Sequence, residues 1–140
     1  MRVVIDTNCL LLSVSPRSAH HWLFQTFREQ KFTLCLSNEV LTEYVEIIDR
    51  YLSAETAQPA YQLLTSAENV VRVEIFYKWP LITNDPDDDK FVECAFAASA
   101  DYILTEDRHY NALIDVEFPK FTVVGLNQFK LLLASESLSL

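Results

Sequence analysis

The chain has 140 residues, half of them hydrophobic and 22% charged, which suits one folded domain with a single sizeable core. Its formal charge of −9 argues against a general nucleic-acid coat or an anionic-membrane binder, since both work through excess Lys and Arg. A single glycine, Gly125, excludes Gly-rich dinucleotide and P-loop phosphate cradles, and no apolar run is long enough for a membrane span.

Val3, Val4 and Ile5 open the chain as a strand apolar on both faces, with Asp6 directly after it. This early start leaves no room for a signal peptide, so a cytoplasmic protein is expected. A helix is expected over Ser18–Gln30, then a strand over Thr33–Leu36. The second helix starts at an N-cap near Ser37 or Asn38 and runs to about Tyr51. Its buried face is Val40, Leu41, Tyr44, Val45, Ile47 and Ile48; Glu43 borders that face, while Glu39 and Glu46 point toward solvent. A third helix over Glu55–Ala67 leads to a strand over Val70–Val73.

The fourth helix begins where Asp85 caps and Pro86 takes the first helical position, and it continues to Ala98. Phe91, Val92, Ala95, Phe96 and Ala98 form its apolar stripe, and Asp88 lies at the N-terminal end of that stripe. Asp87 and Asp89 fall toward the sides, within reach of water. Capping accounts for Asp85 but not for a carboxylate at the core-facing angle, where burial is costly without compensation. Tyr102–Thr105 is a second strand apolar on both faces, and Asp107 follows it by two residues. Short helices near Tyr110–Ile114 and Leu126–Leu133 flank a last strand at Thr122–Val124. Residues 1–134 thus make one domain, with 135–140 a frayed tail.

Strand–helix alternation implies right-handed crossovers and a three-layer α/β/α fold around a parallel five-stranded sheet. The scattered Cys9, Cys35 and Cys94 form no CxxC pair and read as buried small hydrophobes in a reducing compartment. Asp6 and Asp107 each end a buried strand, where open parallel sheets bind ligands. Several acids at one sheet end need a cation, and an all-oxygen set without His or Cys suits Mg²⁺ or Mn²⁺. Phosphodiester hydrolysis commonly uses such a site, the metal activating water and offsetting phosphate charge. The metal then supplies the positive element that the acidic chain lacks.

Val4 to Asn8, Ser37 to Glu43, Asp85 to Asp89 and Leu104 to Asp107 follow one another in the order and spacing of the PIN domain. The chain resembles this family over essentially its whole length, closest to the bacterial and archaeal branch regarded as toxins of toxin–antitoxin pairs. The resemblance implies a catalytic quartet of Asp6, Glu43, Asp88 and Asp107, with Asp6, Asp88 and Asp107 holding Mg²⁺ or Mn²⁺. It also implies cleavage of single-stranded RNA, a central first strand, a homodimer and a cognate antitoxin. Thr7 and Asn8 would order the site, and Lys90, Arg108 and Arg17 are the cations nearest the acidic motifs for holding RNA phosphates. Relatives often carry Gly where this chain has Glu106, and His109 with Tyr110 replaces their commoner continuation, so Glu106 is a candidate extra acid. Two other readings stand beside this one: a non-catalytic PIN-like module that binds RNA or protein, and a Mg²⁺-binding receiver domain. The receiver reading lacks its paired acids after the first strand and a Lys after the last.

Overall fold

The structure is a computed structural model that describes residues 1–76, 89–115 and 120–138. Asp85, Pro86, Asp87 and Asp88 therefore lie outside the described residues. β1 (Arg2–Ile5) is followed by α1 (Thr7–Val14) and α2 (His21–Arg28), and β2 (Thr33–Leu36) by α3 (Asn38–Tyr51) and α4 (Ala54–Ser66). β3 (Val70–Arg72), α5 (Asp89–Ala97), β4 (Tyr102–Leu104), a 3-10 helix (Arg108–Asp115), β5 (Val123–Val124) and α6 (Leu126–Leu138) complete the described chain. The five strands are all parallel, in the order β3-β2-β1-β4-β5. Val3 stands opposite Leu34 on one side and Tyr102 on the other, so β1 is the central strand.

Val3, Val4 and Ile5 point alternately to the two faces, yet none is more than 1% exposed. The sheet is therefore covered on both faces, as expected of a parallel α/β fold. Phe32 at the foot of β2 meets Phe129 of α6 edge-on at 5.2 Å, which seats the last helix on the core. All three cysteines are buried and free. Among the described residues no helix is long and apolar enough to cross a membrane.

Three elements differ from the sequence expectations. α1 was not foreseen; its sequence TNCLLLSV is apolar around most of its circumference and gives no helical stripe to read. α6 continues to Leu138 instead of fraying from Ser135, because Ala134, Ser135 and Glu136 offer the helix no Gly or Pro to stop it. The stripe expected on α5 is buried at Phe91, Val92, Ala95 and Ala98 but not at Phe96, which is 36% exposed, whereas Asp89 and Glu93 are each only 7% exposed. The helix packs against β1, β2, β4 and α3 together, so its buried face is wider than one stripe.

Candidate active site

The strand order reverses at β1, with β2 on one side and β4 on the other. The crevice beyond the carboxyl ends of these strands is where open α/β sheets place ligands. Asp6 stands at its floor, 6% exposed, and is also the N-cap of α1. Its Oδ1 accepts a hydrogen bond from the Cys9 amide at 2.9 Å, and its Oδ2 accepts one from the Thr105 hydroxyl. Burial pushes the Asp6 carboxyl above its ordinary range, and the negative charge of Asp107 pushes the same way. The Thr105 and Cys9 donors offset part of that rise.

Thr105 does more than donate to Asp6. Its hydroxyl oxygen accepts the Asp107 amide at 3.0 Å, so one side chain links both strand-end acids. Asp107 is half-buried; its Oδ1 accepts the His109 amide at 2.9 Å and lies 3.4 Å from the His109 Nδ1.

Glu43 projects from α3 and reaches the residue next to Asp6, with both of its oxygens engaged. Oε2 accepts from the Thr7 hydroxyl, and Oε1 accepts from the Lys90 ammonium at 2.6 Å. Lys90 also lies over the Phe91 ring, 5.8 Å from its centroid. The next residue on α3, Tyr44, is fully buried and donates its hydroxyl to the Ile5 carbonyl, which fixes the helix against the central strand. Burial raises the Tyr44 phenol well above its ordinary range, so it stays a donor.

The structure thus links Asp6 to Asp107 through Thr105, and Thr7 to Glu43 and Lys90, the two sets meeting at the consecutive residues Asp6 and Thr7. Asp88 lies outside the described residues. Asn8, Arg17 and Arg108 are exposed. Asp89, expected to reach water, is buried instead, a consequence of the wide buried face of α5. Lys90, expected to hold phosphate, places its ammonium on Glu43. Glu106 turns away from the acids: its Oε1 accepts the Leu126 amide at 2.8 Å at the start of α6. The lone glycine follows from this cap, since a Cβ at Gly125 would stand 3.2 Å from Glu106 Oε2. Thr105 was missed in the sequence reading, although its place between a buried strand and Asp107 was a usable signal.

Among the described residues no three His, Cys, Asp or Glu side chains gather closely enough to hold a metal ion. Asp6 and Asp107 nevertheless fit a hard divalent cation. Both donors are carboxylate oxygens, the described groups hydrogen-bonded to Asp6 are all uncharged, and the mutual repulsion of the two acids favours a shared positive charge.

A family model described as PIN domain matches residues 2–109 of the chain. No curated protein matches it significantly in sequence. Among solved structures it is similar to VapC20 of Mycobacterium tuberculosis, a Sarcin-Ricin loop cleaving toxin. That likeness has 15% identity and a TM-score of 0.59, covering 82% of this chain and 97% of that one. The VapBC2 complex of Rickettsia felis, bound to a promoter DNA fragment, matches with 15% identity and a TM-score of 0.61 over 89% of this chain and 98% of that one. DNA-bound VapBC of Salmonella typhimurium matches with 14% identity and a TM-score of 0.58 over 90% and 98%.

Proposed function

The chain belongs to the PIN domain family, and on that premise we propose that it is a Mg²⁺- or Mn²⁺-dependent endoribonuclease that hydrolyses phosphodiester bonds in single-stranded RNA. In this reading it is the toxin of a type II toxin–antitoxin pair. One observation carries the catalytic part: Asp6 is kept as a buried acid beside Asp107, at a crevice between strand ends, with Thr105 linking the two. A fold has little use for such a pair unless a cation joins it.

Asp6, Asp107 and Asp88 are the residues that would hold the cation. When bound, the cation makes water acidic enough to attack and offsets the charge that builds on the phosphate. The chain's own residues set the geometry around it. Thr105 holds the Asp6 carboxylate in one orientation and the Asp107 backbone beside it. Thr7 and Lys90 hold Glu43 at the neighbouring wall, where its carboxylate can orient the attacking water. In this reading Asn8 and Arg108, both exposed and each within two residues of a strand-end acid, meet the RNA backbone.

Solved VapBC complexes among the neighbours support a protein antitoxin as partner, and a homodimer is part of the same proposal. The test is cleavage of labelled single-stranded RNA by the purified chain, with Mn²⁺ and with EDTA. Cleavage should need the cation and fall by orders of magnitude in Asp6→Asn and Asp107→Asn, since each removes a charge that positions it. Asp88→Asn and Asp89→Asn, assayed side by side, decide which acid before Lys90 completes the set. Cleavage that survives EDTA, or an active Asp6→Asn, refutes the reading.

A further inference from the structure

Two-metal hydrolytic sites set their ions about 3.5–4 Å apart and share carboxylates between them. In this crevice the four carboxylate oxygens of Asp6 and Glu43 all have partners of the chain's own, but of two kinds. Asp6 receives uncharged donors, the Cys9 amide and the Thr105 hydroxyl, so its negative charge is left for a cation. Glu43 receives the Thr7 hydroxyl on one oxygen and a full positive charge, the Lys90 ammonium, at 2.6 Å on the other. That pair is well shielded, with the Lys90 and Glu43 side chains 18% and 28% exposed, and Phe91 supports the ammonium from behind. A second divalent ion next to Glu43 would have to expel this ammonium or sit against its like charge.

We infer that Lys90 is the resident positive charge on the Glu43 side of the crevice, so that the site takes one divalent cation, on the Asp6–Asp107 side, instead of two. Lys90 is in this sense a positioning residue: it fixes Glu43 and fills the place of a second ion. The inference rests on the proposed metal-dependent reading and adds the stoichiometry to it.

The experiment is equilibrium binding of Mn²⁺ to the full chain, read by the paramagnetic signal of free Mn²⁺, for wild type, Lys90→Met and Lys90→Arg. Wild type and Lys90→Arg should bind one ion per chain, and Lys90→Met should bind a second, because Glu43 is then an uncompensated carboxylate beside the first site. Circular dichroism establishes that each variant is folded, and should Lys90→Met fail to fold, Lys90→Gln, which also removes the charge, takes its place. Two ions bound to wild type overturn the inference and leave the nuclease reading standing. A single ion in all three folded proteins also overturns it, since Lys90 then excludes nothing. No binding to wild type at all removes the metal-dependent reading, and the inference with it.

Discussion

Replacing Thr105 with Val keeps the shape of the side chain and removes the hydroxyl that Asp6 and Asp107 share. Thr105 is only 4% exposed and Asp6 6%, so water does not readily replace the lost partner. A hydrogen bond to an ionised carboxylate contributes about 1.5–3 kcal/mol, and the Asp107 amide loses an acceptor worth about 1 kcal/mol. The metal-free protein should therefore lose roughly 2–4 kcal/mol near neutral pH, a fall in melting midpoint on the order of 10 °C for a chain of this size. The pH dependence has a definite sign. Burial raises the Asp6 carboxyl, so its contribution to stability is complete below the ordinary carboxyl range and is lost as pH rises through the raised folded value. Without Thr105 that value rises further. The gap between Thr105→Val and wild type should narrow in acid, where Asp6 is protonated in both and about 1 kcal/mol remains from the Asp107 amide, and widen toward neutrality. Thr105→Ser keeps the hydroxyl and should cost about 1 kcal/mol of packing, independent of pH. Urea unfolding in EDTA across acid to neutral buffers measures all three. A Thr105→Val penalty that is the same in acid as at neutrality would refute the link between this hydroxyl and the charge on Asp6.

Two further outcomes test the surrounding frame. Glu106→Ala should lower stability by about 1 kcal/mol through loss of the α6 cap and leave RNA cleavage intact; a loss of cleavage as deep as that of Asp107→Asn would put Glu106 in the site. Gln30 and Ser99 end α2 and α5 in the left-handed region, with φ of 61° and 51°, so Gln30→Gly and Ser99→Gly should each stabilise by about 0.5–1 kcal/mol in thermal melts.

The sheet was legible because Val3, Val4 and Ile5, like Ile103 and Leu104, are apolar at successive positions, a pattern only a strand buried on both faces explains. The helices with one wet face, α3 and α4, were legible for the complementary reason. α1 was not, since Thr7, Cys9, Leu10, Ser13 and Val14 are all buried and leave little polar contrast. The stripe of Phe91, Val92, Ala95 and Ala98 is buried as read, but Phe96 is not and Asp89 is, because contact of α5 with three strands and α3 widens the buried face beyond one stripe. Asp6, Glu43 and Asp107 could be found from strand ends and helix faces. The pairing of Lys90 with Glu43 could not, as it joins residues 47 positions apart that only the packing of α3 on α5 brings together.

Asp6 and Thr7 are consecutive, yet their side chains are fastened to different bodies, one to Thr105 beyond β4 and the other to Glu43 on α3. Consecutive Cα atoms are only about 3.8 Å apart, so a single peptide unit works as the pivot between the two walls of the crevice. The Asp6 amide is itself bonded to the Leu104 carbonyl at 3.0 Å, and Tyr44 ties α3 to the Ile5 carbonyl, so both walls are anchored at the strand ends. The spacing among the carboxylates is thereby inherited from the sheet, and a perturbation that loosened either anchor would change it.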